Sequence, residues 1–147
     1  MADLTVTPAR VRILEVIESR LLPMIADEAI LKGQPVYRKT NGRAGVARAN
    51  AVATAKVIGI ASRDCAPSEA FEAQHYGGVT GYDLSAVNPG TTVYLSTAAG
   101  GKLADAAATG TGAGVVPIGS VQVLTDSGQT RYIFVDISLS APTPTAL

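Results

Sequence analysis

From Ile30 onward, short runs of β-branched and apolar residues alternate with Gly, Pro, Asn and Asp, the grammar of strands separated by turns. The pattern predicts strands at 35–39, 45–48, 57–61, 92–95, 102–104, 117–124 and 132–139. Turn signals lie between them at Thr40-Asn41-Gly42, Asn88-Pro89-Gly90, Ala99-Gly100-Gly101 and Asp126-Ser127-Gly128. Many short strands punctuated in this way predict an all-β fold, a small barrel or sandwich. Residues 1–29 follow a different pattern. Leu14, Ile17, Leu21 and Ile25 fall near helical spacing, with Glu15, Glu18 and Arg20 between them, whereas Leu4-Thr5-Val6-Thr7 and Val11–Ile13 alternate as strands do. Pro23 would end or kink a helix. An extended N-terminal arm is the preferred reading and a short helix the alternative. The 141–147 tail, rich in Pro and Thr, reads as a flexible end.

An internal repeat organises the β region, 30–140. Gly33-Gln34-Pro35-Val36-Tyr37 returns as Gly90-Thr91-Thr92-Val93-Tyr94, 57 residues later (90 − 33 = 57). Each copy continues through a Gly-containing turn and a short strand to an Ile-Gly step, at Ile58-Gly59 and Ile118-Gly119, now offset by 60 (119 − 59 = 60). The copies, 33–61 and 90–121, therefore predict two related β half-units packed into one barrel. In each, the glycine of the Ile-Gly step lets two backbones approach or the strand bend.

Composition changes this picture in one respect. The chain of 147 residues is long enough for one domain, but 24 residues are Ala, and the aromatics are five Tyr and two Phe with no Trp. So few large side chains bury little area per residue, which points to subunit contacts that supply more. Net charge is zero, which gives no global attraction to nucleic acid or an acidic membrane. Locally, Lys32, Arg38, Lys39, Arg43, Arg48, Lys56 and Arg63 occur without an acid, and Asp64, Glu69, Glu72, Asp83, Asp105 and Asp126 follow against Lys102 alone. Two solvated faces, or a basic part of one subunit meeting an acidic part of its neighbour, both fit this distribution.

Candidate chemistry is sparse. Cys65 alone excludes an intrachain disulfide and a multi-cysteine zinc site, and it predicts synthesis in a reducing cytoplasm. The opening residues show no secretory signal, and no apolar run reaches the length of a membrane helix. His75 is the sole histidine, with no Ser in a nucleophile-elbow pattern. Gly110-Thr111-Gly112-Ala113-Gly114 leads into a strand and lacks the Lys of a phosphate loop. The sequence predicts a protein that binds other proteins, with no catalytic residues, no cofactor and no metal.

The run Ala29–Tyr37, Val57–Ala61, Val79–Leu84, Pro89–Ser96, Gly101–Leu103 and Pro117–Gly119 resembles, in that order, the capsid cement or head-decoration proteins of tailed bacteriophages. The resemblance covers residues 30 to 123. It implies a trimeric, β-barrel-like virion protein on the outer capsid surface, with the major capsid protein and its own copies as partners, and an N-terminal arm reaching over neighbours. It also implies assembly in the host cytoplasm, no nucleic-acid or membrane contact, and stabilisation of the head against packaged DNA. The contact residues expected are Leu14, Ile17 and Leu21 in the arm, and the paired Tyr37 and Tyr94. A tail, baseplate or head-fibre-base component is the neighbouring alternative. A carbohydrate-binding β-domain is a more distant one, disfavoured by the scarcity of aromatics.

Overall fold

The computed structural model describes residues 3–14, 18–123 and 131–137. Ile17, the 126–128 turn and the 141–147 tail lie outside them. Among the described residues, ten strands form one curled antiparallel sheet: β1 (Arg12–Ile13), β2 (Arg20–Ile25), β3 (Pro35–Arg38), β4 (Ala44–Val46), β5 (Val57–Ala61), β6 (Ala70–Thr80), β7 (Thr92–Leu95), β8 (Leu103–Ala104), β9 (Pro117–Val123) and β10 (Arg131–Asp136). The only helical turns among the described residues are short 3-10 segments at Pro8–Arg10 and Val52–Thr54. The chain is all-β.

The two copies fold with matching hydrogen bonds. In the first, β3 and β5 pair Pro35 with Ile60 and Val36 with Gly59, then slip by one so that Tyr37 faces Val57. In the second, β7 and β9 pair Thr92 with Ser120 and Val93 with Gly119, then slip so that Tyr94 faces Pro117. The entry turns also match. Gln34 N–H donates to Leu31 O and Thr91 N–H to Asn88 O, with Gly33 at φ +85° and Gly90 at φ +88°. That is the third turn position, which favours glycine in a type II turn. Gly33 N–H reaches Ala61 O at 3.0 Å, and Gly90 N–H reaches Val121 O at 2.7 Å. At Gly59 and Gly119 the constraint is space rather than φ. A Cβ would stand 2.7 Å from Ala73 Cβ at the first and 1.9 Å from Phe134 O at the second.

β6, the longest strand, joins the halves. Gln74 pairs with Leu21 and Ile60, Tyr76 with Arg20 and Asp136, and Val79 with Ile13 and Ile133. Since two partners of one residue must lie on opposite edges, β1 and β2 line one edge of β6 while β5 and β10 share the other. The sheet divides at this shared edge. The side chain of Gln74 occupies the division, buried, its Nε2 donating to Gly78 O at 3.1 Å and Ser19 Oγ at 3.2 Å. Neither donor contact would survive replacement by an apolar residue.

The N-terminal residues close both ends of the sheet. Ala26 bridges Ala44 on the outer edge of β4, and Asp27 N–H donates to Ala44 O at 2.9 Å. This completes a ring β4-β3-β5-β6-β2 around a small core of Met24, Ala26, Ile30, Val36, Ala44, Ala61, Cys65, Phe71 and Ala73. At the other end, Asp3 bridges Ala104 on β8 and Val6 bridges Tyr82, just beyond β6. This second ring surrounds the larger core, which includes Leu4, Val11, Val93, Leu95, Leu103, Ile118, Val121, Ile133 and Val135. Equivalent residues of the repeat thus fill different cores, Val36 and Ala61 the first, Val93 and Val121 the second.

Two sequence expectations change here. The described part of the segment that also suited a helix, Arg20–Ile25, is a strand, with Leu22 and Met24 turned inward and Leu21, Pro23 and Ile25 outward. Pro23 is tolerated because β2 is an edge strand whose opposite side needs no amide donor. The arm also does not stand apart from the β domain. Leu4, Val11, Met24 and Ala26 are buried, because the repeats leave open edges that only these residues cover.

Candidate functional site

The residues that face outward decide what such a fold can touch. The outside of the first ring, carrying Tyr37, Val57 and Ile60, packs against the larger core. Among the described residues, the outside of the second packs against neither core. Its wall runs across β2, β6, β10, β9 and β7, and the register places Arg20, Tyr76 and Asp136 in one row. Phe134, Ser120 and Thr92 form the next row. Tyr94 lies two residues from Thr92 and Tyr132 two from Phe134, so both share this face. Four of the seven aromatic residues are therefore gathered on one wall, Tyr132 buried and the other three half-buried.

The geometry of the first row is specific. Tyr76 and Phe134 meet edge to face, with ring centroids 5.2 Å apart at 82°. The Arg20 guanidinium lies over the Tyr76 ring, 4.9 Å from its centroid, within cation–π range. Arg20 also reaches Glu18 at 3.5 Å, both groups well exposed, a contact worth little. Asp136 is exposed at the far side of Tyr76.

The expected contact residues are dispersed. Leu14 is half-buried, its N–H donating to Gly78 O at 3.0 Å, and Leu21 is 39% exposed beside Ile25 at 46%. Tyr37 packs on the main core, whereas Tyr94 lies half-buried on the open wall. The matched tyrosines therefore have different surroundings, and the structure brings Tyr94, but not Tyr37, to this surface. Arg20, Tyr76, Phe134 and Asp136 escaped the sequence reading. One signal was available: Tyr132, Phe134 and Asp136 alternate with Ile133 and Val135, so β10 carries aromatics on the face away from its core.

Two cations of the basic stretch, Lys39 and Arg63, pair with carboxylates within the chain. Lys39 Nζ lies 3.0 Å from Asp27 Oδ2 and 3.1 Å from Glu28 Oε2, pinning the β3–β4 hairpin beside the Ala26–Ala44 bridge. The hydrogen bond from Lys39 holds the Asp27 carboxyl below its ordinary value, and the two carboxylates raise the lysine. Arg63 pairs with Glu69 at 3.6 Å, and Lys32 N–H donates to Asp64 Oδ1 at 2.8 Å.

The remaining chemistry-bearing groups serve the fold. Cys65 is buried and its thiol is pushed up by burial, so it persists as an unreactive thiol. Tyr82 lines a cleft of about 560 Å³ with Thr5, Thr7, Arg10 and Thr80, but its hydroxyl is committed to Gly33 O at 2.5 Å. Burial raises its pKa well above the ordinary phenol value. Ser96, fully buried, donates to the Asp3 carboxylate and holds the N-terminus on β7. Among the described residues, no group of three or more His, Cys, Asp and Glu could hold a metal ion, and no helix is long and apolar enough to cross a membrane. No protein-family model and no curated protein matches this chain.

Proposed function

We propose that this protein is a structural virion component that binds the outer surface of a tailed-phage capsid and cements adjacent capsomers. The observation that carries the reading is the ordered set of landmarks that resembles cement proteins. Gly-x-x-Val-Tyr and Ile-Gly occur twice, and both copies fold with the same slipped register at Val36/Tyr37 and Val93/Tyr94. The two copies of the repeat therefore share a structural task within this chain.

The mechanism follows from surface and multiplicity. Each subunit offers modest contact area, and a trimer engages several capsid subunits at once. Linked contacts then reach an avidity that no single contact has, because each additional one forms at high effective concentration. Bridging neighbouring capsomers adds to the free energy needed to separate them, which opposes the pressure of packaged DNA. The open wall with Tyr76, Tyr94 and Phe134, and the exposed Leu21 and Ile25, supply the aromatic and apolar contacts that dominate protein interfaces.

Adding purified protein to undecorated, expanded capsids and imaging them tests the reading. Regular density on the outer surface at capsomer junctions is the expected result. Capsids that remain bare at saturating protein would overturn it.

A further inference from the structure

Arg20, Tyr76 and Asp136 stand in register on three adjacent strands of the wall, with Arg20 on the strand to one side of Tyr76 and Asp136 on the strand to the other. Such a row is self-complementary. A twofold axis lying in the contact plane, parallel to the strands and passing over Tyr76, exchanges the two sides of the row. It lays Arg20 of one copy over Asp136 of the other, twice, and brings the two Tyr76 rings together. We infer that this wall is a contact between two copies of the chain, packed face to face with reciprocal Arg20–Asp136 pairs around Tyr76 and Phe134.

The physical requirements are met one by one. Sheets packed face to face keep their strands nearly aligned, the arrangement this axis produces. They lie about 10 Å apart, a gap that an extended arginine and an aspartate span together. Asp136 is exposed, and Arg20 is held only by the weak Glu18 contact and the Tyr76 ring, so forming the intersubunit pair breaks no strong bond. The centre is the Tyr76–Phe134 pair, flanked by Thr92 and Ser120, small enough to let a second sheet approach. Aromatic residues ringed by polar ones are the usual anatomy of a contact centre.

The area sets the strength. The wall is the convex outside of a ring, so contact is limited to the three strands that carry the row, which at about 4.8 Å spacing and some 15 Å of strand length give roughly 220 Å² per copy. The total of about 430 Å² is well below the ~1,200 Å² of a standard interface, so the pairing is weak and concentration-dependent in solution. Copies held side by side on a common surface would pair far more completely. The inference does not depend on the capsid reading, since its test needs only the purified protein.

Sedimentation velocity across a concentration series, up to the solubility limit, is the test. The wild-type chain should show two-copy association. R20E and D136R should each lower the association constant at least about tenfold, because each places like charges together. The double variant R20E/D136R should recover the wild-type constant to within a factor of about three, since the pairs re-form with signs exchanged. Tyr76→Ala should lower association by at least about tenfold with both charges intact. Circular dichroism of each variant establishes that it is folded. A wild-type chain that stays monomeric at every concentration overturns the inference. So does association that survives both single charge reversals, or a double variant that fails to recover.

Discussion

Replacing Gly119 by alanine is the most direct challenge to the physical account of the repeat. Gly119 is on β9 opposite Val93, and an added Cβ would sit 1.9 Å from Phe134 O, 2.8 Å from Phe134 C and 3.1 Å from Val135 Cα. These atoms are backbone in β10, so no rotamer change relieves the collision; β9 and β10 must separate by more than 1 Å where Gly119 pairs with Val135, at the end of their ladder. Overpacking costs about 1–3 kcal/mol, and each ladder hydrogen bond strained open adds about 0.5–1.5 kcal/mol. Removing a glycine from a strand returns at most about 1 kcal/mol. The expected net loss is about 3 kcal/mol, a large share of the 5–15 kcal/mol typical of a domain. Gly59→Ala meets Ala73 Cβ at 2.7 Å and Gln74 O at 3.0 Å, a milder clash worth about 1–2 kcal/mol. Gly90→Ala meets nothing within 4 Å and bears only the cost of φ +88°, about 1 kcal/mol. Urea titrations at fixed protein concentration should therefore rank the losses Gly119, Gly59, Gly90. In thermal melts Gly119→Ala should lower the midpoint by roughly 6–12 °C. If Gly119→Ala is no worse than Gly90→Ala, close backbone approach is not why the repeat keeps its Ile-Gly glycine.

Three further outcomes are expected. Deleting residues 2–25 should abolish cooperative unfolding, because Leu4, Val11 and Met24 leave their cores, β6 loses β1 and β2 from one edge, and β8 loses the bridge from Asp3; a truncated chain with a native-like melt would contradict this. Asp27 is depressed in the folded state, so its contribution is present above the unfolded carboxylate pKa and fades as pH falls below about 4. Asp27→Asn should therefore be less stable than wild type at pH 7 and converge with it under acid, and parallel acid-unfolding curves would refute the assignment. Cys65 should react with a thiol reagent only in step with unfolding, since burial both shields it and keeps it protonated; fast labelling of the native protein would show otherwise.

Seven of the ten strands were readable in the sequence, β3 to β5 and β7 to β10, because each joins β-branched or aromatic residues bounded by turn formers. The two-copy organisation was readable for the same reason: turn glycines and a close-approach glycine are demanded locally, at matched offsets. β6 was not readable. Ala70–Thr80 contains Ala, Glu, Gln and a Gly-Gly pair, poor strand formers, and it is extended because four strands supply partners along its two edges. β2 was ambiguous because Leu14, Ile17, Leu21 and Ile25 suit a helix as well as the inward and outward alternation of an edge strand. The destinations of the matched tyrosines were beyond local pattern altogether. Tyr37 and Tyr94 each follow the Gly-x-x-Val of the repeat and share its slipped register, yet the first leans on the larger core and the second does not. Sequence by itself determined strands, turns and their duplication, since those depend on contacts within a few residues. Which faces were covered, and hence which wall was left open for Arg20, Tyr76, Phe134 and Asp136, was decided only when the N-terminal segment closed the two rings. Burial of a sheet face depends on segments far away in the chain.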